Sequence, residues 1–240
     1  MPSRLDLVAA LTHSPQALTL RANASNSSTD LVELDGWYRG TLRETLQERE
    51  KEDERGAFLV KEELVKLMQW KLARGKWRPR LQNLVAQNPA SEIESSTAKA
   101  FATVDSDPAA SLAVLSKLKA VGPATATAVL ALWRPDVEPF MSDAAMENVG
   151  AYGEGEAGSL SKKEYTAKAW QTYRKQMQDR MKREDWASME ELEKALWSWA
   201  VERKYGKAQV DGEEKPKAGK KRKSTGGAAE QAKKPKKGAP

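Results

Sequence analysis

Few kinds of side chain in this 240-residue chain can do chemistry. It has no cysteine and one histidine, His13, which excludes a thiolate nucleophile, a cysteine zinc site and a histidine triad. Reactions must run on carboxylates, lysines or hydroxyls, and neither a metal nor a cofactor is expected. His13 stands where the apolar pattern is weak and reads as a solvated side chain. The carboxylate that stands out is Asp143, which ends the stretch "PFMSD" and opens "AAMENV". Two roles fit an aspartate at that point. One is a catalytic carboxylate, and the other is a cap that gains about 0.3–1 kcal/mol from the helix dipole.

Upstream, "LKAVGPATATAVL" (Leu118 to Leu130) reads as two helices joined by a tight turn, with Gly122 before a proline at the first position of the second helix. A turn at a helix start presents backbone N–H groups and the positive end of the dipole, which together bind a phosphate without reading a base. Lys119, Val121, Gly122, Ala124 and Thr125 are the candidate phosphate-binding residues. A second stretch, "QWKLARGKWRPRL" (Gln69 to Leu81), interleaves Trp70 and Trp77 with Lys71, Arg74, Lys76, Arg78 and Arg80. That mixture suits a nucleic-acid surface, charges on phosphates and a ring on a base. It equally suits a core tryptophan pair with a solvated basic rim at a helix end.

The net charge is +6, and its location matters. Lys207 to Pro240 carry 11 Lys/Arg against 4 Asp/Glu, an excess of +7, so the rest of the chain is near neutral at −1. This tail has no apolar period and reads as disordered. Its basic clusters, around Lys220, Lys221, Arg222 and Lys223 and around Lys233, Lys234, Lys236 and Lys237, fit a nuclear-import signal or a polybasic arm on phosphates. They make the nucleus the expected location and an import receptor an expected partner. No run approaches a membrane span, with a mean hydropathy of −0.70.

The elements that must position these residues are helical throughout, giving an all-α fold. Residues 1–28 read as a loosely ordered segment, 29–205 as a helical domain with the hairpin at 112–132, and 206–240 as the disordered basic tail. A helix is expected over about 58–72, one opened by a capping box at Ser91 and Glu94, one capped by Asp107 and Pro108, and one by Ser188 and Glu191. Gly150 to Ser159 reads as a plain connecting loop. Trp133, Trp170, Trp197 and Trp199 read as core.

The pattern from Leu115 to Val149 resembles the helix-hairpin-helix of the Gly/Pro-Asp DNA glycosylase superfamily. Gly122 and Pro123 lie in the hairpin turn, and Pro139 and Asp143 follow, with Asp143 placed 21 residues after Gly122. The resemblance implies DNA as partner and base flipping, with the hairpin on a backbone phosphate. It implies that Asp143 stabilises the developing sugar cation or activates water in a monofunctional base excision. The first turn glycine of the family is Ala120 here, and Pro123 lacks an N–H. Ala124 stands where lyase-type relatives carry a Schiff-base lysine, so lyase chemistry from that position is not expected. A binding-only DNA module and a helical protein-interaction adaptor remain the alternatives.

Overall fold

The computed structural model describes residues 1–24, 30–150 and 164–206. All regular structure among them is helical. The chain runs through α1 (Arg4–Thr12), α2 (Ser14–Asn23), α3 (Leu31–Arg39), α4 (Thr41–Glu52), α5 (Lys61–Arg74) and α6 (Pro79–Val85). It continues through α7 (Ala90–Thr103), α8 (Pro108–Leu115), α9 (Pro123–Trp133), α10 (Asp143–Asn148), α11 (Ala167–Glu184) and α12 (Met189–Val201), then a wider π-type turn to Gly206. The basic tail and most of the Gly150 to Ser159 loop lie outside the described residues. No described helix is long and apolar enough to cross a membrane.

The centre of the molecule is α9. Every residue from Ala124 to Leu132 is buried, as expected of a helix that is apolar all round. Alanines and threonines at 124–128 leave little side-chain bulk, so α4, α5, α7, α8 and α11 pack around it. Thr125 and Thr127 bring hydroxyls into this interior, and Thr127 uses its own to fix the segment that leads to Asp143. The tryptophans of the expected core are there: Trp170 and Trp197 are buried, and Trp133 and Trp199 pack partly exposed against it.

Two expectations need correction. Residues 4–23 form two helices where a loosely ordered segment was expected. Ser3 and Asp6 close a capping box on α1, and α1 and α2 pack along α12, burying Leu7, Ala10 and Ala17. A pattern of one leucine and two alanines is weak in isolation, and its partner lies almost 200 residues away. The helix over 90–103 opens at Ala90 with Pro89 at its cap and makes no Ser91 cap bond. Glu94 pairs with Arg55 at 2.9 Å instead. The chain also breaks at Gly40, between α3 and α4, where a side chain would press within 3.0 Å of the Gly36 carbonyl.

Candidate functional site

The approach to Asp143 is built from buried, hydrogen-bonded backbone. Glu138 is buried and gripped by Arg174 through contacts of 2.5–3.0 Å. Burial raises its carboxyl above the ordinary range, with Arg174 opposing. Tyr173 donates its hydroxyl to the Phe140 carbonyl at 2.8 Å, and the Met141 N–H donates to Thr127 Oγ1 at 3.1 Å. These bonds tie the segment to α9 and α11. At the far end of α10, buried Arg180 donates to the Asn148 and Val149 carbonyls and to that of Pro2. Both ends of this short helix are thus held by side chains from elsewhere in the fold.

The cap of α10 is Ser142, whose Oγ accepts the Ala145 N–H at 3.3 Å. Asp143 is therefore the first residue of the helix and not its cap. Its carboxylate accepts a 2.5 Å hydrogen bond from the Tyr165 hydroxyl. It also acts electrostatically on Lys71, at the end of α5. Burial lowers the Lys71 ammonium to about 8, with Asp143 opposing the shift and Arg78 adding to it. Burial and the bond to Asp143 raise the Tyr165 phenol above its ordinary value, and Arg78 and Glu147 act on it as well. Four groups from three stretches, Lys71 with Arg78, Asp143, and Tyr165, thus act on one another. Two of them, Lys71 and Tyr165, are perturbed, a feature that functional sites share with structural ion-pair networks.

The basic and aromatic stretch divides. Lys76, Trp77, Arg78 and Arg80 are exposed, Trp77 at 38%, and Lys71 is partly buried. Trp70 and Arg74, expected at a nucleic-acid surface, are interior, 0% and 4% exposed. Trp70 stacks on Tyr38 with ring centroids 3.6 Å apart and donates its indole N–H to Asp35 at 2.8 Å. Arg74 pairs with buried Glu193 at 3.1 Å and lies over Trp197. Leu67, Trp70 and Arg74 follow helical spacing onto one face, so the arginine is carried inward to a carboxylate on α12.

Around these two residues runs a network of Asp35, Arg39, Arg43, Glu190 and Glu193. Burial pushes the Asp35 carboxyl up, but Arg39, Arg74 and the Trp70 N–H together hold it below its ordinary value. A small depression open to solvent is lined by Tyr38, Arg39, Trp70, Phe140, Glu190 and Glu193, among others. Asp143, Lys71 and Tyr165 are not in that lining.

In the α8–α9 hairpin, the candidate N–H groups differ in what they are free to do. Lys119 donates to Asn88 Oδ1 at 2.7 Å, Val121 to the Leu118 carbonyl and Thr125 to the Gly122 carbonyl. These three N–H groups do not reach outward, contrary to expectation. Among the described residues, the Gly122 and Ala124 N–H groups donate to no protein acceptor. They sit at the start of an 11-residue helix with no side-chain cap. Gly122 has φ −85°, and a Cβ built on it meets nothing within 4 Å.

Asn88 was not legible as a site residue. Its buried side chain holds the turn from outside, accepting the Lys119 N–H and donating to the Lys119 carbonyl at 3.1 Å. The next residue, Ala120, sits at φ 62°, a left-handed conformation that strains any residue with a Cβ. Ala120→Gly is expected to stabilise the fold by about 0.5–1 kcal/mol, relief of strain outweighing the added freedom of the unfolded chain. A thermal midpoint that stays level or falls in this variant would show that the turn carries no such strain.

The hairpin and the carboxylate are close along the chain path. Thr127 lies five residues into the chain after Gly122, and Met141 bonds to it two residues before Asp143. Helical rise and chain reach then keep Gly122 and Asp143 within roughly 20 Å. No described group of three or more His, Cys, Asp or Glu could hold a metal ion. Compared with known proteins, the chain matches no family model, no curated protein sequence and no solved structure.

Proposed function

We propose that this chain binds DNA through the start of α9, as a helix-hairpin-helix module, and has a DNA-glycosylase-like core. The observation that carries this reading is the pair of undonated N–H groups at Gly122 and Ala124, on the positive end of α9. The glycine is required by nothing inside the fold. A bare helix start with two such donors is suited to the close approach of a phosphate. Lys117 and Lys119 are exposed beside it and add charge without base specificity. The basic tail suits nuclear import and a sequence-independent contribution to affinity.

Asp143 would serve monofunctional base excision on a flipped nucleotide, with exposed Trp77 and Arg78 available to stack on a base and pair with a phosphate. The test of the grip is Gly122→Ala. Its added methyl meets no protein atom, so the thermal midpoint is expected to stay within a degree or two. Duplex affinity is expected to fall about tenfold, the equivalent of one charge-assisted hydrogen bond. Unchanged affinity would remove the hairpin from binding. That result would favour a helical adaptor for another protein.

A further inference from the structure

We propose that Tyr165 is a positioning residue for Asp143: its phenol holds the carboxylate in one orientation, toward the cation that develops on a sugar as its base departs. The inference rests on the reading of Asp143 as the carboxylate of the site. It adds the group that aims it, from outside the stretch that carries the resemblance.

Side chains of α11 hold the path of the chain on both sides of Asp143. Arg174 pairs with buried Glu138, Tyr173 donates to the Phe140 carbonyl at 2.8 Å, and Arg180 donates to the Asn148 and Val149 carbonyls at 3.0 and 3.1 Å. Tyr165, two residues before that helix, does something different. Its Oη donates to Asp143 Oδ1 at 2.5 Å, side chain to side chain, and both residues are partly exposed. The fold does not need this bond to start α10, because Ser142 Oγ already accepts the Ala145 N–H. What the bond fixes is the carboxylate, which can otherwise turn about its own side-chain torsions.

The phenol suits that task. A hydroxyl bonded to a carboxylate is a charge-assisted pair, shorter and stronger than a neutral one. Burial and the bond to Asp143 raise the ionisation of the phenol above its ordinary value, so it stays a donor throughout the neutral range. Its own placement follows from the helix it precedes. Thr166 caps α11, its Oγ1 accepting the Ala169 N–H at 3.1 Å, which keeps the residue before the cap in register with Tyr173 and Arg174. A fixed carboxylate stabilises a developing cation without having to reorient at the moment of reaction.

The experiment uses the full chain and two duplexes, one with a pyrrolidine ring in place of a deoxyribose and its base, the other with a tetrahydrofuran ring. The pyrrolidine nitrogen is a cation at neutral pH and the tetrahydrofuran is neutral, so the ratio of the two affinities reads the charge that Asp143 presents, without turnover. The native chain is expected to prefer the cationic duplex about 100-fold, within the range of close charge pairs at interfaces. Tyr165→Phe is expected to keep the thermal midpoint and the affinity for the neutral duplex while lowering that preference about tenfold. Asp143→Asn abolishes the preference, and adding Tyr165→Phe to it changes nothing further. A preference kept in Tyr165→Phe and lost in Asp143→Asn overturns the role of Tyr165 and leaves Asp143 standing. Equal losses on both duplexes in Tyr165→Phe overturn it as well, because the phenol then supports the fold or touches DNA without aiming the carboxylate. No preference in the native chain overturns the inference together with the Asp143 reading, and leaves binding at the hairpin untouched.

Discussion

Glu193→Ala is expected to destabilise the fold by about 3–5 kcal/mol, the cost of leaving a buried charge without its partner. Arg74 is enclosed by Trp70, Phe140 and Trp197, so its guanidinium cannot turn to water when Glu193 is removed. Arg39, 3.9 Å from the same carboxylate, keeps Asp35 and Glu190 and is less affected. Arg74 Nε and Glu193 Oε1 are both buried with no hydrogen-bond partner, so the pair is imperfect as it stands. The double variant Arg74→Met with Glu193→Leu is therefore expected to recover most of the loss. Urea unfolding of Arg74→Met, Glu193→Leu and the double checks this. Additive losses in the double would show that the two residues act independently.

Asp143→Asn has the largest expected effect on activity. If a broad panel of damaged or mismatched duplexes identifies a base that the native chain releases, the variant should release it about 10²–10⁴-fold more slowly. Asparagine retains the shape and an oxygen for Tyr165, and Ser142 still caps α10, so the fold should be preserved. Duplex binding should be equal or tighter, because one negative charge leaves the site. The amine titration supplies an independent check. Without the carboxylate that opposes the shift, Lys71 should titrate below about 8, so amine labelling should reach half its maximum at lower pH. Base release that survives the substitution would acquit Asp143 of catalysis. Release of nothing by the native chain would leave a binding-only module.

The all-helical architecture was legible because capping and periodicity are local. Asp107 and Ser188 accept the N–H groups that their spacing implied, and α9 is as apolar as its residues are. What was not legible depends on partners distant in sequence. Trp70 and Arg74 read as basic and aromatic, and only the position of Glu193 on α12 turns that pair inward. Tyr165 follows a glycine-rich stretch with no pattern that marks it, yet it holds the Asp143 carboxylate. Lys71 was legible as a cation. Its altered titration was not, because burial and the approach of α10 exist only in the folded chain.

The Asn88 side chain offers one donor and one acceptor to Lys119, as a neighbouring strand of backbone would. The shape of the α8–α9 turn is therefore written partly at a position 31 residues earlier, after α6. The hairpin is not a portable cassette. Transplanted into another scaffold without Asn88, it would lose its template, so divergence at the loop after α6 can reshape the turn without altering any residue of the hairpin.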